Sequence, residues 1–169
     1  MSMESQDPIS LESHAKRMES SWRSMIRITH DFFHAWRKAI VDSHGETAAK
    51  DMELLFWENI GRGTGKFYLA RGGKPDDTGQ IAYTMKRASD IMGETAHITL
   101  DGDATLLVHT DCPWMDSYHA AGIPGQCGAG CDRWFQTTVK TISNNLIVVT
   151  ESQLPNGDAN CTRRFMVMK

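Results

Sequence analysis

The sequence predicts an α+β fold, and two observations lead to that prediction. The chain has 169 residues, the length of one domain. Apolar residues spaced by three and four fill residues 1–94, a spacing typical of amphipathic helices. Residues 95–169 instead hold β-prone runs separated by Asp-Gly and Pro-Asn-Gly-Asp, which are turn signals. Helices and hairpins that occupy separate parts of a chain indicate N-terminal helices packed on an antiparallel sheet, in a single domain spanning residues 1–169.

Three helices are expected in the first half. Asp7-Pro8 begins the first helix, which runs to about Asp42 and is followed by the break His44-Gly45. Its expected buried face is Met25, Ile28, Phe32, Trp36 and Ala39. A second helix covers residues 46–59, and we expect Gly61, Gly63 and Gly65 to loosen or end it. Its expected inward residues are Met52, Leu55 and Phe56. A third helix is capped near Asp76 or Asp77 and buries Ile81, Met85, Ala88 and Met92.

The second half predicts two hairpins joined by a cysteine-rich crossover and a helix. The first hairpin covers residues 97–109 and turns at Asp101-Gly102. Residues 110–131 are expected to form a loop or a short helical segment, and residues 132–143 a helix. Residues 146–153 and 160–168 read as two strands around a Pro-Asn-Gly-Asp turn.

Composition and charge exclude several classes of protein. The net charge of −3 and the pI of about 6.1 argue against nucleic-acid binding through a basic surface. No run approaches the roughly 18 apolar residues of a membrane span, and the N-terminus lacks the apolar region of a signal peptide. We therefore expect a cytoplasmic protein that has neither nucleic acid nor a membrane as partner, and whose thiols stay reduced.

The four cysteines are the strongest chemical signal, because all lie after residue 110. They are Cys112, Cys127, Cys131 and Cys161, separated by fourteen, three and twenty-nine residues. Three interpretations are open: the thiolates hold Zn²⁺, Cys127 or Cys131 is a nucleophile, or the thiols are small core residues. For the nucleophile, a helix starting near residue 132 would lower the thiol pKa through its dipole.

Further residues near the cysteines are candidates for the same site. Asp132 and His119 could carry protons or orient the reacting groups. Trp114 and Trp134 are candidate walls of a small-molecule pocket, and Glu151 lies on a strand where it is either solvated or directed into a cleft. His30 and His34 share a helix face and could grip one metal, but the rest of a zinc-protease arrangement is missing, which favours a half-exposed pair.

Several of these segments resemble the L-2-amino-thiazoline-4-carboxylic acid hydrolase family. The similar segments are 55–61 (Leu-Phe-Trp-Glu-Asn-Ile-Gly), 111–114 (Asp-Cys-Pro-Trp), the Cys127 to Asp132 segment, and the tail Gly157-Asp158-x-x-Cys161-x-x-x-Phe165. The similarity covers about residues 51–168. It implies hydrolytic opening of a small heterocycle at a ring carbon bonded to nitrogen. The tail also resembles hydrocarbon-binding domains related to four-vinyl reductase, which implies a zinc held by the closing cysteines beside an apolar pocket.

Together, these observations predict a hydrolase that opens a C–N bond of a small, thiazoline-like or cyclic-amidine-like substrate with cysteine-dependent catalysis. Cys127 is preferred over Cys131 as nucleophile, and no cofactor is required. The alternative is a sensor-like, small-molecule-binding domain in which Cys112, Cys127, Cys131 and Cys161 hold a structural zinc. A homodimer is the commonest assembly for such a domain.

Overall fold

The fold is α+β, with helices on one face of a four-stranded antiparallel sheet. The computed structural model describes residues 11–168. The elements in chain order are α1 (Leu11–Ala70), α2 (Thr78–Ile91), β1 (Thr95–Asp101), β2 (Ala104–Asp111), α3 (Pro113–Ala120), α4 (Pro124–Ile142), β3 (Leu146–Ser152), a short 3₁₀ helix (Leu154–Asn156) and β4 (Cys161–Val167). The strand order is β1-β2-β4-β3, so the two hairpins meet through β2 and β4.

Helix α1 bends at Gly45, whose φ of 84° and ψ of 170° are not helical. Only glycine adopts such a conformation without strain, which explains why the predicted break after Asp42 is correct. We call residues 11–44 the first arm and residues 46–70 the second arm. Ring contacts between Phe33 and Phe56, at 5.2 Å, and between Phe33 and Trp57, at 5.7 Å, hold the arms side by side. The predicted helix start at Asp7-Pro8 lies outside the described residues.

The expectation that three glycines would loosen or end the second helix is wrong. The second arm continues through Gly61, Gly63 and Gly65 to Ala70. A Cβ on Gly61 would lie 2.8 Å from the Trp134 carbonyl oxygen, and one on Gly65 would lie 2.9 Å from the Thr138 carbonyl oxygen. These two glycines therefore let the second arm pack closely on α4, which compensates for their low helix propensity.

The remaining elements follow the predicted order with one large difference. Asp77 caps α2 by accepting a hydrogen bond from the backbone N–H of Gln80, at 2.9 Å, as expected. Both hairpins form where the turn signals placed them. Residues 113–120 form the short helical segment that was one of the two expectations for residues 110–131. The difference is that α4 begins at Pro124 instead of residue 132. The glycine-rich cysteine segment is therefore the start of a helix, with proline at its first position.

The predicted buried face of the first helix is also wrong. Phe32 is 73% exposed and Met25 is 60% exposed, whereas His30, Phe33 and Arg37 are buried. On the second arm, Met52 and Leu55 are likewise exposed. The apolar spacing predicted the helix correctly but not the face that packs on the protein. Each arm packs through a different stripe of residues from the predicted one.

The core has two parts. The larger part lies between α2, α4 and the inner face of the sheet, and contains Tyr68, Ile81, Ala82, Met85, Leu107, Phe135, Val139, Ile142, Leu146 and Phe165. The smaller part, around Phe33, Tyr118 and Cys127, joins the two arms to α3 and the start of α4. A cavity lies next to this smaller part.

Candidate functional site

A cavity of about 540 Å³ lies between the two arms, α3, α4 and the inner face of the sheet. Its lining includes all four cysteines, together with aromatic side chains from the arms and from α3. A volume of this order suits a small organic ligand. The polar or charged groups that also reach the wall include Glu94, His109 and Arg163.

Three different elements bring the four cysteines to this wall. Cys112 precedes α3, Cys127 and Cys131 lie one turn apart on α4, and Cys161 is the first residue of β4. Two glycines on α4 permit close contacts there. A Cβ on Gly128 would lie 2.7 Å from Gln153 Oε1. The structure therefore brings the four cysteines, which are distant along the chain, into the lining of one cavity.

Arg163 is a buried cation next to the thiols. It is 1% exposed, and its guanidinium lies 5.2 Å from the centre of the Phe135 ring. Its Nη2 lies 2.9 Å from Asp132 Oδ1, in an ion pair whose angles are not those of a hydrogen bond. Its Nε has no hydrogen-bond acceptor among residues 11–168. A buried guanidinium with spare donors favours an anionic partner, whether a thiolate or a ligand.

Glu94 and His109 form an acid–base pair on the same cavity. His109 Nε2 lies 3.2 Å from Glu94 Oε2 and 2.9 Å from the hydroxyl oxygen of Ser89. His109 is opposite Cys161 in the pairing of β2 with β4, so the imidazole and that thiol belong to neighbouring strands. Groups of this type can accept and return a proton during a reaction.

Burial raises the pKa of every cysteine in the cavity. It raises the pKa of Cys131 to about 12, against the effect of Arg163, which lowers it. The pKa of Cys127 is also raised by burial and then by the neighbouring Cys131 and Cys161. The expected lowering by a helix dipole is therefore outweighed by the low polarity of the wall. For Cys161 two contacts oppose burial: the backbone N–H of Leu154, which donates to Sγ at 3.2 Å, and Arg163.

The other predicted residues fall into two groups. Trp114 and Trp134 line the cavity. Asp132 lies behind the wall, where it accepts hydrogen bonds from Thr150 and Gln153 and pairs with Arg163. His119 is exposed in the last turn of α3, and Glu151 is exposed and paired with Arg164 on the outer face of the sheet. Neither His119 nor Glu151 is part of the cavity lining.

The sequence prediction missed Glu94, His109 and Arg163. The period of two along a strand could have found two of them. His109 shares the inner face of β2 with Leu107, and Arg163 shares that of β4 with Phe165. A charged or titratable residue on the apolar face of a strand is a signal for a buried site. No comparable pattern marks Glu94, which precedes β1.

A buried polar network fixes the start of α4 against the arms. Arg37 Nε donates to Glu53 Oε2 at 2.9 Å, and the Tyr118 hydroxyl donates to Glu53 Oε1 at 2.6 Å. Arg37 also donates to Gln126 Oε1 at 2.6 Å from its Nη2. Because Gln126 precedes Cys127, this network positions the first turn that carries that thiol.

The two histidines of the first arm lie outside the cavity lining and pack against α3. The His30 ring lies 4.0 Å from the Trp114 ring, and His34 Nε2 lies 3.1 Å from the Ser117 hydroxyl oxygen. Burial lowers the pKa of both imidazoles. The neighbouring His34 lowers the pKa of His30 further, and Arg37 lowers that of His34. They therefore hold the first arm in place as neutral rings.

The residues of the cavity do not fit a metal as they are arranged. Within residues 11–168, no three His, Cys, Asp or Glu side chains are placed so that they could hold a metal ion. In the same part of the chain, no helix is long and apolar enough to cross a membrane.

The architecture is that of an α+β protein with a cavity on the helical face of its sheet. The family model of L-2-amino-thiazoline-4-carboxylic acid hydrolase matches residues 25–165, so the chain belongs to that family. The resemblance found in the sequence is thereby confirmed. A search of curated proteins gives no match.

Two solved structures share the fold at low sequence identity. The phenol-responsive sensory domain of the transcription activator PoxR, solved with phenol, is 11% identical, with a TM-score of 0.52 over 82% of this chain and 74% of that chain. Trafficking protein particle complex subunit 3 from Naegleria fowleri, covalently bound to palmitic acid, is 10% identical. Its TM-score is 0.53 over 87% of this chain and 97% of that chain.

Proposed function

We propose that the protein is a hydrolase that opens a C–N bond of a small heterocyclic substrate, of the thiazoline or cyclic-amidine type, inside the cavity. The observation that supports this most directly is the meeting of four thiols, one buried guanidinium and a carboxylate–imidazole pair on one wall. Membership of the hydrolase family supports the reaction class. The aromatic lining supports a flat ring as the part of the substrate that is buried.

Cys161 is the first candidate for the nucleophile, ahead of Cys131 and Cys127. A thiolate at Cys161 would be stabilised by the backbone N–H of Leu154 and by Arg163. Cys131 has Arg163 alone as a stabilising partner, and for Cys127 Arg163 is the weakest of the influences on the thiol. Because burial raises these pKa values, the thiol must lose its proton to a base in the cavity as the substrate reacts.

The chemistry balances with the groups on the wall. Glu94 or His109 takes the thiol proton, the sulfur bonds to the ring carbon, and the C=N electron pair moves to the ring nitrogen, which takes up a proton. The other nitrogen on that carbon then forms the new C=N bond and gives up one proton, which the same acid–base pair passes to the ring nitrogen as that nitrogen leaves as an amine. Water then attacks the sulfur-bound carbon, and the thiol is released with its proton restored.

Separate Cys161→Ser, Cys131→Ser and Cys127→Ser variants test this proposal, with Cys112→Ser as control. Cys112 lines the same cavity, but Glu94, not Arg163, is the charged group that most affects its thiol. Ring opening of L-2-amino-thiazoline-4-carboxylic acid and of cyclic amidines is followed by mass spectrometry. Loss of turnover in one of the first three variants, with Cys112→Ser active, supports a nucleophilic thiol. Full turnover in all four folded variants would exclude it.

A small-molecule-binding function without turnover is the second candidate. The predominantly apolar lining of the cavity and the raised thiol pKa values favour it. Stoichiometric binding of a phenol or of a thiazoline by calorimetry, with no product formed, would support this function over the hydrolase. Elemental analysis of the purified protein tests the zinc of this alternative.

A further inference from the structure

The first arm carries an apolar face that the rest of the described chain covers only in part: Trp22 Nε1 donates to the Ile91 carbonyl oxygen at 2.8 Å, and Trp36 packs on Phe33 and Phe56. Its residues alternate in spacing between three and four, and all are exposed: Ala15, Met18, Trp22, Met25, Thr29, Phe32, Trp36 and Ala39. We call this set the seam. It contains no charged residue over a length of about 36 Å. The neighbouring stripe of the same arm, with Phe33 and Arg37, is the one that packs on the protein.

The seam is too large to be an ordinary exposed surface. The large side chains of the seam, together with those of Leu11 and Ile28 at its margin, expose as much surface as about four fully exposed side chains. At roughly 200 Å² for each side chain, this amounts to about 800 Å². The largest apolar patch of a typical monomer measures about 300–600 Å², whereas a stable interface buries about 800 Å² per partner.

The seam also borders the mouth of the cavity. Residues that line a cavity and are nevertheless exposed mark its opening. The exposed residues of the lining are Thr29, Phe32, Trp36 and Ile60, all on α1. Three of them belong to the seam. Whatever covers the seam therefore also covers the entrance to the cysteines.

We propose that the occupant of the seam is the seam of a second copy of this chain, so that each copy closes the cavity mouth of the other. The alternating spacing of three and four suits packing against another long helix of the same spacing. The seam of a second copy is such a helix, and a two-fold axis makes one patch complementary to itself. The exposed area matches what such a dimer needs.

Two other occupants fit less well. The ten residues before Leu11 contain only Met1, Met3 and Ile9 as large apolar side chains, too few to cover the seam. A lipid surface favours a helix whose polar face is rich in Lys and Arg. Here the polar face also holds Glu12, Glu19, Asp31 and Asp42, which offset its basic residues.

Sedimentation of the complete chain tests the dimer. The protein is expected to sediment at about twice 18.9 kDa at ~20 µM. The double variant Met18→Glu/Met25→Glu should be monomeric, with a dissociation constant raised on the order of 100-fold or more. Leu100→Glu, which places the same charge at a 77% exposed leucine on β1, should stay dimeric. Ala39→Glu, at the other end of the seam, gives an independent variant if the double variant does not fold.

Access to the cavity gives a second readout. Neither Met18 nor Met25 lines the cavity, yet their replacement should raise the rate at which a small maleimide labels the cavity thiols, because the mouth is uncovered. A wild-type monomer at this concentration would overturn the proposal, and so would a dimer that survives both seam variants. Flotation of the wild-type chain with vesicles of phosphatidylcholine and phosphatidylserine would overturn it in favour of a lipid partner.

Discussion

The close contact between the second arm and α4 predicts opposite effects for the same substitution at two neighbouring glycines. A Cβ on Gly65 would lie 2.7 Å from the Thr141 Cβ and 2.9 Å from the Thr138 carbonyl oxygen. A Cβ on Gly63, half a turn away, would meet nothing within 4 Å. Gly65→Ala must therefore push the arm away from α4, whereas Gly63→Ala only adds a methyl group at an exposed helical position.

The expected magnitudes follow from these contacts. Overpacking at Gly65 costs about 1–3 kcal/mol, and the better helix propensity of alanine returns about 1 kcal/mol. The net loss is roughly 0–2 kcal/mol, which lowers Tm by up to about 8 °C for a chain of this length. Gly63→Ala should stabilise the protein by about 0.5–1 kcal/mol and raise Tm by about 1–4 °C.

Thermal unfolding followed by circular dichroism measures both variants under identical conditions. The contact also carries a functional consequence, because α4 holds Cys127 and Cys131 on the cavity wall. Gly65→Ala should therefore weaken ligand binding in the cavity, and Gly63→Ala should leave it unchanged. Equal Tm values for the two variants would refute the close packing of α1 on α4.

Other predictions concern the buried polar groups. Glu53→Gln removes one of the two carboxylates that pair with Arg37, at 2.9 Å, while Glu46 keeps its ion pair with the same buried guanidinium, so the loss should be about 1–3 kcal/mol in urea unfolding. An equal loss of unfolding free energy when a surface ion pair is broken, for example by Lys38→Gln, would contradict this. Because burial lowers the pKa of His30 and His34 below 6.5, the unfolded chain takes up protons first, and the free energy of unfolding should fall as the pH drops below about 6.5. A His30→Gln/His34→Gln variant should show a flatter pH dependence between about pH 7 and pH 5.5, and an unchanged slope would exclude these groups. The raised pKa values of the cavity thiols predict slow reaction with a thiol reagent at about pH 8 until the chain is unfolded, and rapid reaction in the native state would contradict them.

Local signals in the sequence were sufficient to predict where α2 and the two hairpins form. The cap at Asp77, the turn glycines and the alternation of strand residues act within a few residues, so they specify α2 and both hairpins without knowledge of the rest of the chain. The break at Gly45 was predictable for the same reason. The fold class follows from the order of these elements.

The faces and the site depended on contacts that are distant in sequence. Gly61 and Gly65 are helix breakers by propensity, but packing on α4 overrides that propensity. The apolar stripe of the first arm looked like a core face, yet that arm packs through His30, Phe33 and Arg37, because the second arm and α3 supply their partners. Sequence alone brought the cysteines together as a hypothesis, but it could not place Arg163 or Glu94 next to them, since each comes from a different element.

The most direct test of the proposed hydrolase compares turnover in Cys161→Ser with turnover in Cys112→Ser, using L-2-amino-thiazoline-4-carboxylic acid as substrate. Both thiols line the cavity, but only Cys161 combines a backbone N–H donor with Arg163. A nucleophilic Cys161 predicts a loss of turnover of at least ~1000-fold in Cys161→Ser and near wild-type turnover in Cys112→Ser. Equal turnover in the two folded variants would contradict the assignment of Cys161. If Cys131→Ser and Cys127→Ser are also fully active, thiol catalysis in this cavity is contradicted as well.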